Sequence, residues 1–145
     1  MKNRDNILEV KFPSLSRNEA TARSITASFL ISLDPTVSEL ADLKCAVSEA
    51  VTNCIIHAYA DKPGTIYMKL ESTPERKVSI EIRDRGCGID NIEMAMEPLF
   101  TTNTDGERSG MGFTVMQTFC DKVKVRSAKG KGTKVTLTKT LCPLT

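Results

Sequence analysis

The chain has 145 residues, of which 40% are hydrophobic and 26% are charged, and its formal net charge is +2. This length and composition predict one globular domain, residues 1–145, with a core large enough to fold without disulfides or a structural metal. The small net charge, the scattered basic residues and the lack of Trp argue against direct nucleic-acid binding and against an anionic membrane partner.

Cysteine usage and the N-terminus predict the compartment. The five cysteines are odd in number and lack the short repeated spacing of a zinc site, so free thiols in a reducing cytosol are expected. Charge begins at Lys2, so no signal peptide is expected, and no uncharged run approaches the ~18–20 residues that cross a bilayer. We therefore expect a cytoplasmic protein with no membrane segment.

In chain order, the first predicted elements are a strand and two helices. Residues 8–12 alternate apolar and polar side chains, which predicts a strand. Ser16 with Glu19, and Thr36 with Glu39, have the spacing of a capping box, and each pair predicts the start of a helix. The second helix should run from 37 to about 58, because an apolar stripe that includes Cys54 recurs at helical spacing through that stretch.

The rest of the chain predicts two hairpins and two further helices. Residues 66–70 and 78–82 alternate around a turn at 73–76, which predicts an antiparallel hairpin, and a second hairpin is expected around residues 130–133. A short helix is expected over 89–97, a loop over 101–109 and another helix from Gly110. Together these elements predict an α/β (α+β) two-layer sandwich, whose mostly antiparallel mixed sheet is covered on one face by helices.

Glu49 and Asn53 are the first candidate site residues. They lie four positions apart on the predicted second helix, so their side chains share one face. An Asn amide oxygen is a sufficient protein ligand for Mg²⁺ when phosphates and water supply the others, and a carboxylate one turn away can act as a general base. A solvated helix position is the simpler alternative for Glu49, whereas a half-buried Asn53 would need hydrogen-bonding partners.

Two glycine-rich segments are the other candidates. Asp84 follows a predicted strand and precedes Gly86 and Gly88. Its carboxylate can accept a hydrogen bond from the exocyclic amine of adenine, and the glycines let the backbone pass close to the base. Residues 110–112, Gly-Met-Gly, open a helix and offer N–H groups to phosphate oxygens. Taken alone, the first segment also fits a simple turn and the second a flexible loop. Neither a P-loop nor a complete dinucleotide-binding fingerprint is present in the sequence.

The order and spacing of these motifs are more specific than any one of them. The segments are Ser-Glu-Ala-Val-Thr-Asn at 48–53, Asp-Arg-Gly-Cys-Gly-Ile at 84–89, Ser-Gly-Met-Gly-Phe at 109–113 and Gly-Thr at 132–133. The set resembles the ATP-binding domain shared by DNA gyrase, the large heat-shock chaperone ATPases, sensor histidine kinases and the MutL repair proteins. Residues 98–102 and 107–113 resemble the bacterial anti-sigma factor serine-protein kinases, most closely the sporulation anti-sigma F factors.

The resemblance implies a Bergerat-type sandwich with a mobile ATP lid at about 91–109, and a role for each matching residue. Glu49 would be the general base, Asn53 the ligand of Mg²⁺ and Asp84 the reader of adenine. The residues that would frame ATP are Gly86, Gly88, Gly110, Met111, Gly112 and Thr133. The lid residues that would reach the terminal phosphates are Thr101, Thr102 and Arg108.

The resemblance also implies partners. Such a protein would bind and inhibit an RNA polymerase sigma factor. Sporulation and stress-response versions share these motifs, and the closer resemblance favours sporulation sigma F. It would use ATP and Mg²⁺ to phosphorylate a serine on an anti-anti-sigma protein, and it would form a homodimer. The helix that carries an exposed Arg23 is the expected partner-binding face.

Three other functions remain to be weighed against this one. A sensor histidine kinase is rejected, because the only histidine, His57, lies inside the predicted ATP-site helix. A stand-alone ATP-binding or ATPase module without a protein substrate is the main alternative, and the lack of a predicted transducer domain after Thr145 counts against it. A binding module whose kinase activity has lapsed is the third, and the presence of Glu49 counts against it.

Overall fold

The computed structural model describes residues 5–89, 92, 96 and 112–144. Its strands are β1 (Asn6–Pro13), β2 (Thr65–Ser72), β3 (Lys77–Arg83), β4 (Lys122–Ala128) and β5 (Gly132–Thr140). Its helices are α1 (Asn18–Ile31), α2 (Val37–Asn53) and α3 (Gly112–Phe119), and a π-helical turn, Cys54–Ala58, continues α2. No helix in these ranges is both long and apolar enough to span a membrane.

The strands form one sheet in the order β1-β2-β3-β5-β4, and each neighbouring pair is antiparallel. Alternate side chains of β2 and β3 are buried, so one face of the sheet packs against α1, α2 and α3 while the other is open. Fully buried side chains from both layers form the core; the largest are Leu30, Leu43, Ile66, Met68, Leu70, Ile80, Ile82, Met116 and Leu137. The predicted two-layer sandwich and both predicted hairpins are confirmed.

The two predicted capping boxes have different outcomes. At the start of α2, the Thr36 side chain accepts from the Glu39 N–H and the Glu39 carboxylate accepts from the Thr36 N–H, so this box is confirmed. At α1 the Ser16–Glu19 box is wrong: the N-cap is Arg17, with no side-chain cap hydrogen bond. The Glu19 carboxylate instead accepts hydrogen bonds from Ser48 on α2 and Arg23 on α1.

The second helix predicted over 37 to about 58 corresponds to α2 together with the π-helical turn that follows it. From Cys54 the backbone widens into a π-helical turn, in which the Tyr59 N–H donates to the Cys54 carbonyl five residues back at 3.0 Å. The predicted helix over 89–97 lies mostly outside the described residues. Its two described members, Ile92 and Met96, are joined by a backbone hydrogen bond of 3.0 Å at helical spacing.

Glu39 joins the start of α2 to the segment after β5. Besides capping the helix, its carboxylate accepts the Cys142 N–H at 2.7 Å, and the residue is buried. Burial by itself raises the pKa of this carboxyl, but the hydrogen bonds from Thr36 and Cys142 outweigh it and leave the pKa below its ordinary value of 4.5. A lowered carboxyl pKa stabilises the fold above the unfolded-state pKa, and this contribution is lost as the pH falls through the folded-state pKa.

We therefore predict that Glu39→Gln lowers the free energy of unfolding at pH 7 by about 1–2 kcal/mol, because its amide cannot accept from both N–H groups. The loss should shrink as the pH falls below about 4.5, first through the unfolded-state pKa and then through the lower folded-state pKa, because the wild-type carboxylate also loses its charge over this range. Urea unfolding at pH 7 and at pH 3.5 measures both effects, with the exposed Glu9→Gln as control. A deficit of equal size at both pH values would contradict the ionised cap.

A row of basic side chains crosses the open face of the sheet. The register places Lys11 opposite Tyr67, Tyr67 opposite Arg83, Arg83 opposite Lys134 and Lys134 opposite Arg126. The Arg83 guanidinium lies 4.6 Å from the centroid of the Tyr67 ring, which offers it a cation–π contact. Arg83, Lys134 and Arg126 are like charges on directly opposed positions, an arrangement that destabilises a sheet.

Replacing the central charge of this row should stabilise the protein. Lys134→Glu places a carboxylate between two guanidinium groups, and we predict a gain of about 0.5–1 kcal/mol in the free energy of unfolding at low salt. The gain should diminish in about 1 M salt, which screens exposed charges. Lys124→Glu is the matched control, because Lys124 lies opposite Thr136 rather than a cation. The prediction is wrong if both variants unfold at the same urea concentration in low salt.

Candidate functional site

Glu49 and Asn53 meet the first residue of α3. Both side chains are half-buried on α2. A Cβ atom added to Gly112 would lie 3.3 Å from Asn53 Nδ2, 3.4 Å from Asn53 Oδ1 and 3.4 Å from Glu49 Oε2. Both polar groups therefore face the same small volume at the N-terminus of α3, where backbone N–H groups and the helix dipole favour an anion. Gly112 has no side chain to fill that volume.

Other contacts fix the two helices that form this part of the site. Lys139 on β5 donates to the Phe119 carbonyl at 2.9 Å, which holds the C-terminal end of α3, and its ammonium lies 3.7 Å from the carboxylate of Asp42 on α2. Ser48, the neighbour of Glu49, donates to Glu19 on α1. Together with apolar packing, these contacts fix the positions of α1, α2 and α3 relative to one another around the site.

The expected partner-binding residue Arg23 belongs to the same set of contacts. Its side chain is 43% exposed, as expected for a surface position, but its Nε also lies 2.9 Å from Glu19 Oε1 in an ion pair. Through Glu19 it is connected to Ser48, one residue before Glu49. Two side-chain hydrogen bonds connect the α1 surface to Ser48, which the backbone joins directly to the candidate general base.

Asp84 forms the second part of the site. It is only 5% exposed and lies just after β3. Its Oδ1 accepts N–H groups from Gly86 at 2.9 Å and Thr133 at 3.1 Å, and its own N–H donates to the Thr133 carbonyl at 2.9 Å. Its Oδ2 lies 3.4 Å from Cys54 Sγ. The structure therefore brings together Asp84, Gly86 and Thr133, which the sequence analysis had placed in one site.

The glycines after Asp84 allow a close approach of backbone to backbone. A Cβ at Gly86 would collide with the Ala58 carbonyl group. Gly88 has φ +78°, a conformation that side chains with a Cβ rarely adopt, and a Cβ there would collide with the carbonyl oxygen of Ala128. Both glycines are thus required by the path of the chain, which is the physical basis of the Asp-x-Gly-x-Gly motif.

The π-helical turn is the part of the site that sequence reasoning missed. It directs the Ala58 carbonyl to the Cys87 N–H at 3.2 Å, and the Cys87 thiol lies 3.4 Å from the His57 carbonyl oxygen. Just beyond it, the Tyr59 hydroxyl accepts the Arg85 N–H at 2.6 Å. The end of α2 is therefore fastened to the 84–88 turn by three contacts. An insertion of one residue into a helical turn leaves no mark in the polarity pattern, so no pattern in the sequence indicates it.

Ser127 on β4 was also missed. Its hydroxyl accepts the Ile89 N–H at 2.8 Å, donates to the Gly132 carbonyl at 3.0 Å and lies 2.7 Å from the Thr133 hydroxyl. It joins the chain leaving the 84–88 turn to the residue that donates to Asp84. A serine in an alternating strand is typical of an exposed position, so its role is visible only in the assembled sheet.

Five predicted site residues lie outside the described part of the chain: Thr101, Thr102, Arg108, Gly110 and Met111. Most of the proposed lid at 91–109 lies outside it too. The structure thus brings together seven predicted residues, in two groups. Glu49, Asn53 and Gly112 form one, and the other consists of Asp84, Gly86, Gly88 and Thr133.

The antiparallel sheet with helices on one face is the architecture of an ATPase domain of the sandwich type. A family model for the histidine kinase-like ATPase domain matches residues 12–139. Anti-sigma F factor of Caldanaerobacter subterraneus subsp. tengcongensis is 55% identical over 135 residues, covering 93% of this chain and 94% of the relative. Anti-sigma F factor of Clostridium acetobutylicum is 55% identical over 137 residues, with the same two shares.

Structural comparison supports the same fold. The RsbU and RsbW domains of Rv1364c from Mycobacterium tuberculosis match with a TM-score of 0.69 and 19% identity, over 94% of this chain and 33% of that one. At this identity the match shows the fold alone. The chain belongs to the histidine kinase-like ATPase domain family, and within it to the anti-sigma F factors.

The geometry around Asp84 leads to a prediction about ATP binding. In Asp84→Asn the amide oxygen can still accept from Gly86 and Thr133, but an NH₂ group replaces Oδ2 and presents a donor where the adenine amine needs an acceptor. We expect ATP affinity to fall at least about tenfold. Asn53→Ala should weaken binding of Mg²⁺–ATP through loss of the amide oxygen.

Calorimetry with ATP and with GTP measures these effects, and thermal unfolding confirms that each variant is folded. GTP should bind wild type at least about tenfold more weakly than ATP, because its carbonyl would face the Asp84 carboxylate. Asp61→Asn, an exposed position in the turn before β2, is the control. Wild-type ATP affinity in folded Asp84→Asn would remove Asp84 from the base site.

Proposed function

We propose that this chain is an anti-sigma factor and an ATP-dependent serine/threonine-protein kinase. It binds and inhibits an RNA polymerase sigma factor, sporulation sigma F, and transfers the γ-phosphoryl group of ATP to a serine of an anti-anti-sigma partner. It acts in the cytoplasm as a homodimer of single-domain chains, 1–145. The relatives at 55% identity are anti-sigma F factors, which supports the choice of sigma factor.

The observation that carries the kinase proposal is the arrangement at Gly112, where the side chains of Glu49 and Asn53 both lie within 3.4 Å of the position that a Cβ atom would take. It joins a carboxylate, an amide oxygen and a helix N-terminus within about one side-chain length. Phosphoryl transfer needs these three kinds of group: one to accept the proton of the nucleophile, one to hold a cation and one to bind phosphate oxygens.

In the proposed reaction Glu49 accepts the proton of the substrate serine hydroxyl. The serine oxygen forms a bond to the γ-phosphorus, the bond from that phosphorus to the β–γ bridging oxygen breaks, and ADP leaves with the electron pair. The products are phosphoserine, ADP and one proton on Glu49, which is released to water. Catalysis depends chiefly on positioning and on charge stabilisation, because the phosphoryl group makes little covalent demand on the protein.

The residues present fit a magnesium ion and the adenine of ATP. Asn53 Oδ1 faces the open volume at Gly112 and would hold the ion, which would offset phosphate charge when bound. Asp84 lies at the other end of the site and would accept the adenine amine. Thr101, Thr102, Arg108, Gly110 and Met111 are proposed to contact the phosphates, as the family resemblance implies.

The alternative is a stand-alone ATP-binding or ATPase module without a protein substrate. The same ATP site would serve it, so site geometry alone does not separate the two. The similarity over 93% of the chain to proteins named anti-sigma F factor favours the switch protein.

To distinguish the switch protein from the stand-alone module, the protein is incubated with labelled ATP, sigma F and the anti-anti-sigma protein. We predict that wild type transfers label to a serine, and that Glu49→Gln slows transfer by about 10²–10⁴-fold while ATP and sigma factor still bind. The amide has nearly the same shape as the carboxylate but cannot accept the proton.

Glu81→Gln on the open face of the sheet is the control and should transfer label normally. Transfer by Glu49→Gln within a few-fold of wild type would remove Glu49 from the mechanism. ATP binding without transfer to any partner and without sigma factor binding would favour the stand-alone module.

A further inference from the structure

The hydrogen bonds of Asp84 leave one acceptor position open. An ionised carboxylate has about four lone-pair sites. The N–H groups of Gly86 and Thr133 occupy those of Oδ1, and the thiol of Cys54 lies 3.4 Å from Oδ2. Among the residues that the structure describes, these three donors account for three sites. The remaining lone pair is on Oδ2, the oxygen that Cys54 touches.

We propose that Cys54 is a positioning residue for nucleotide specificity: its S–H group holds Oδ2 of Asp84 so that the free lone pair is presented to the 6-amino group of the purine. This inference rests on the proposed function, because it assumes that Asp84 reads the base. It adds a residue that the sequence had placed only in the apolar stripe of α2.

Cys54 is suited to this role by its position and its chemistry. Its Sγ lies 3.4 Å from Oδ2 of Asp84, and an S–H group is a hydrogen-bond donor. The residue is only 4% exposed, so water has little access to replace this donor.

A thiol also donates weakly, and this matters for an oxygen that must accept a second hydrogen bond. A Lys or Arg at this place would neutralise the carboxylate and compete with the incoming amine. The S–H group fixes the direction of Oδ2 while leaving most of its acceptor strength for the ligand.

The position of Cys54 in the chain explains how one helix can serve both parts of the site. Asn53 and Cys54 are consecutive, so their side chains point about 100° apart around the helix axis. Asn53 faces Gly112, whereas Cys54 faces Asp84. The π-helical turn begins at Cys54 and anchors this end of the helix to the 84–88 turn through Ala58 and Cys87.

The test compares ATP with purine riboside triphosphate, which lacks only the 6-amino group. Calorimetry gives the ratio of the two dissociation constants for wild type, Cys54→Ser and Cys54→Ala. We expect wild type to favour ATP at least about tenfold, Cys54→Ser to keep this ratio within about twofold, and Cys54→Ala to reduce it by about fivefold. In an Asp84→Asn background Cys54→Ala should leave the ratio unchanged, because the two residues act through one contact.

Cys120→Ala is the matched control, because Cys120 is also a buried thiol but lies at the end of α3. It should lower thermal stability without changing the ratio, which separates loss of packing from loss of positioning. The infrared S–H stretch supplies a readout that needs no folded alanine variant. The band lost in Cys54→Ser should lie at lower frequency than the band lost in Cys120→Ser, because only the Cys54 thiol donates to a carboxylate.

The proposal for Cys54 and the proposal for the base site would be rejected by different results. A wild-type preference for ATP that Cys54→Ala retains in full, or a Cys54 band at the frequency of the Cys120 band, rejects Cys54 as a positioning residue and leaves the ATP site intact. Failure of wild type to bind ATP, or equal binding of the two nucleotides, rejects the proposed base site itself.

Discussion

A carboxylate that is 5% exposed must be surrounded by fixed hydrogen-bond donors, and this constraint at Asp84 determines much of the local structure. One donor, the N–H of Thr133, belongs to β5, which the β3–β5 register brings beside the end of β3. The turn that supplies the Gly86 N–H must fold back on its own aspartate. Gly132 sits against the Asp84 carbonyl with φ +100°, so the start of β5 also depends on a residue without a Cβ.

Helix α2 connects this carboxylate to the other part of the candidate site, Glu49 and Asn53. From Glu49 to Cys54 the chain advances five residues, about 7.5 Å of helical rise, within one continuous hydrogen-bonded element. Its first turn is held by Glu39 and its middle by the Ser48–Glu19 contact. A helix fixed at these points cannot shift without breaking part-buried hydrogen bonds, so the spacing between the two parts of the candidate site is held constant.

Local patterns were sufficient to predict the strands and the start of α2, whereas the candidate site was predicted from the order and spacing of several motifs and from their resemblance to a known family. Alternation and helical spacing are properties of neighbouring residues, and Glu49, Asn53 and Asp84 carry chemistry that is unusual at their positions. The errors came from contacts between distant residues. Glu19 fits a capping box in sequence, yet its carboxylate contacts Ser48, 29 residues away. Cys54 fits an apolar stripe, and only the assembled fold shows the thiol beside Asp84.

The N-terminus of α3 carries backbone N–H groups for which a bound anion would supply hydrogen-bond acceptors. The first N–H groups of a helix have no intrahelical acceptor, and here the neighbouring side chains are Asn53 and Glu49. An anion bound beside the Glu49 carboxylate would be repelled by it, which makes binding less favourable. A cation near Asn53 would offset this repulsion. In the proposed complex, phosphate oxygens would accept from the N–H groups of α3, and Asn53 would hold a magnesium ion that would offset the charge of the phosphates and of Glu49. Nucleotide and ion binding should therefore be interdependent, each lowering the cost of the other.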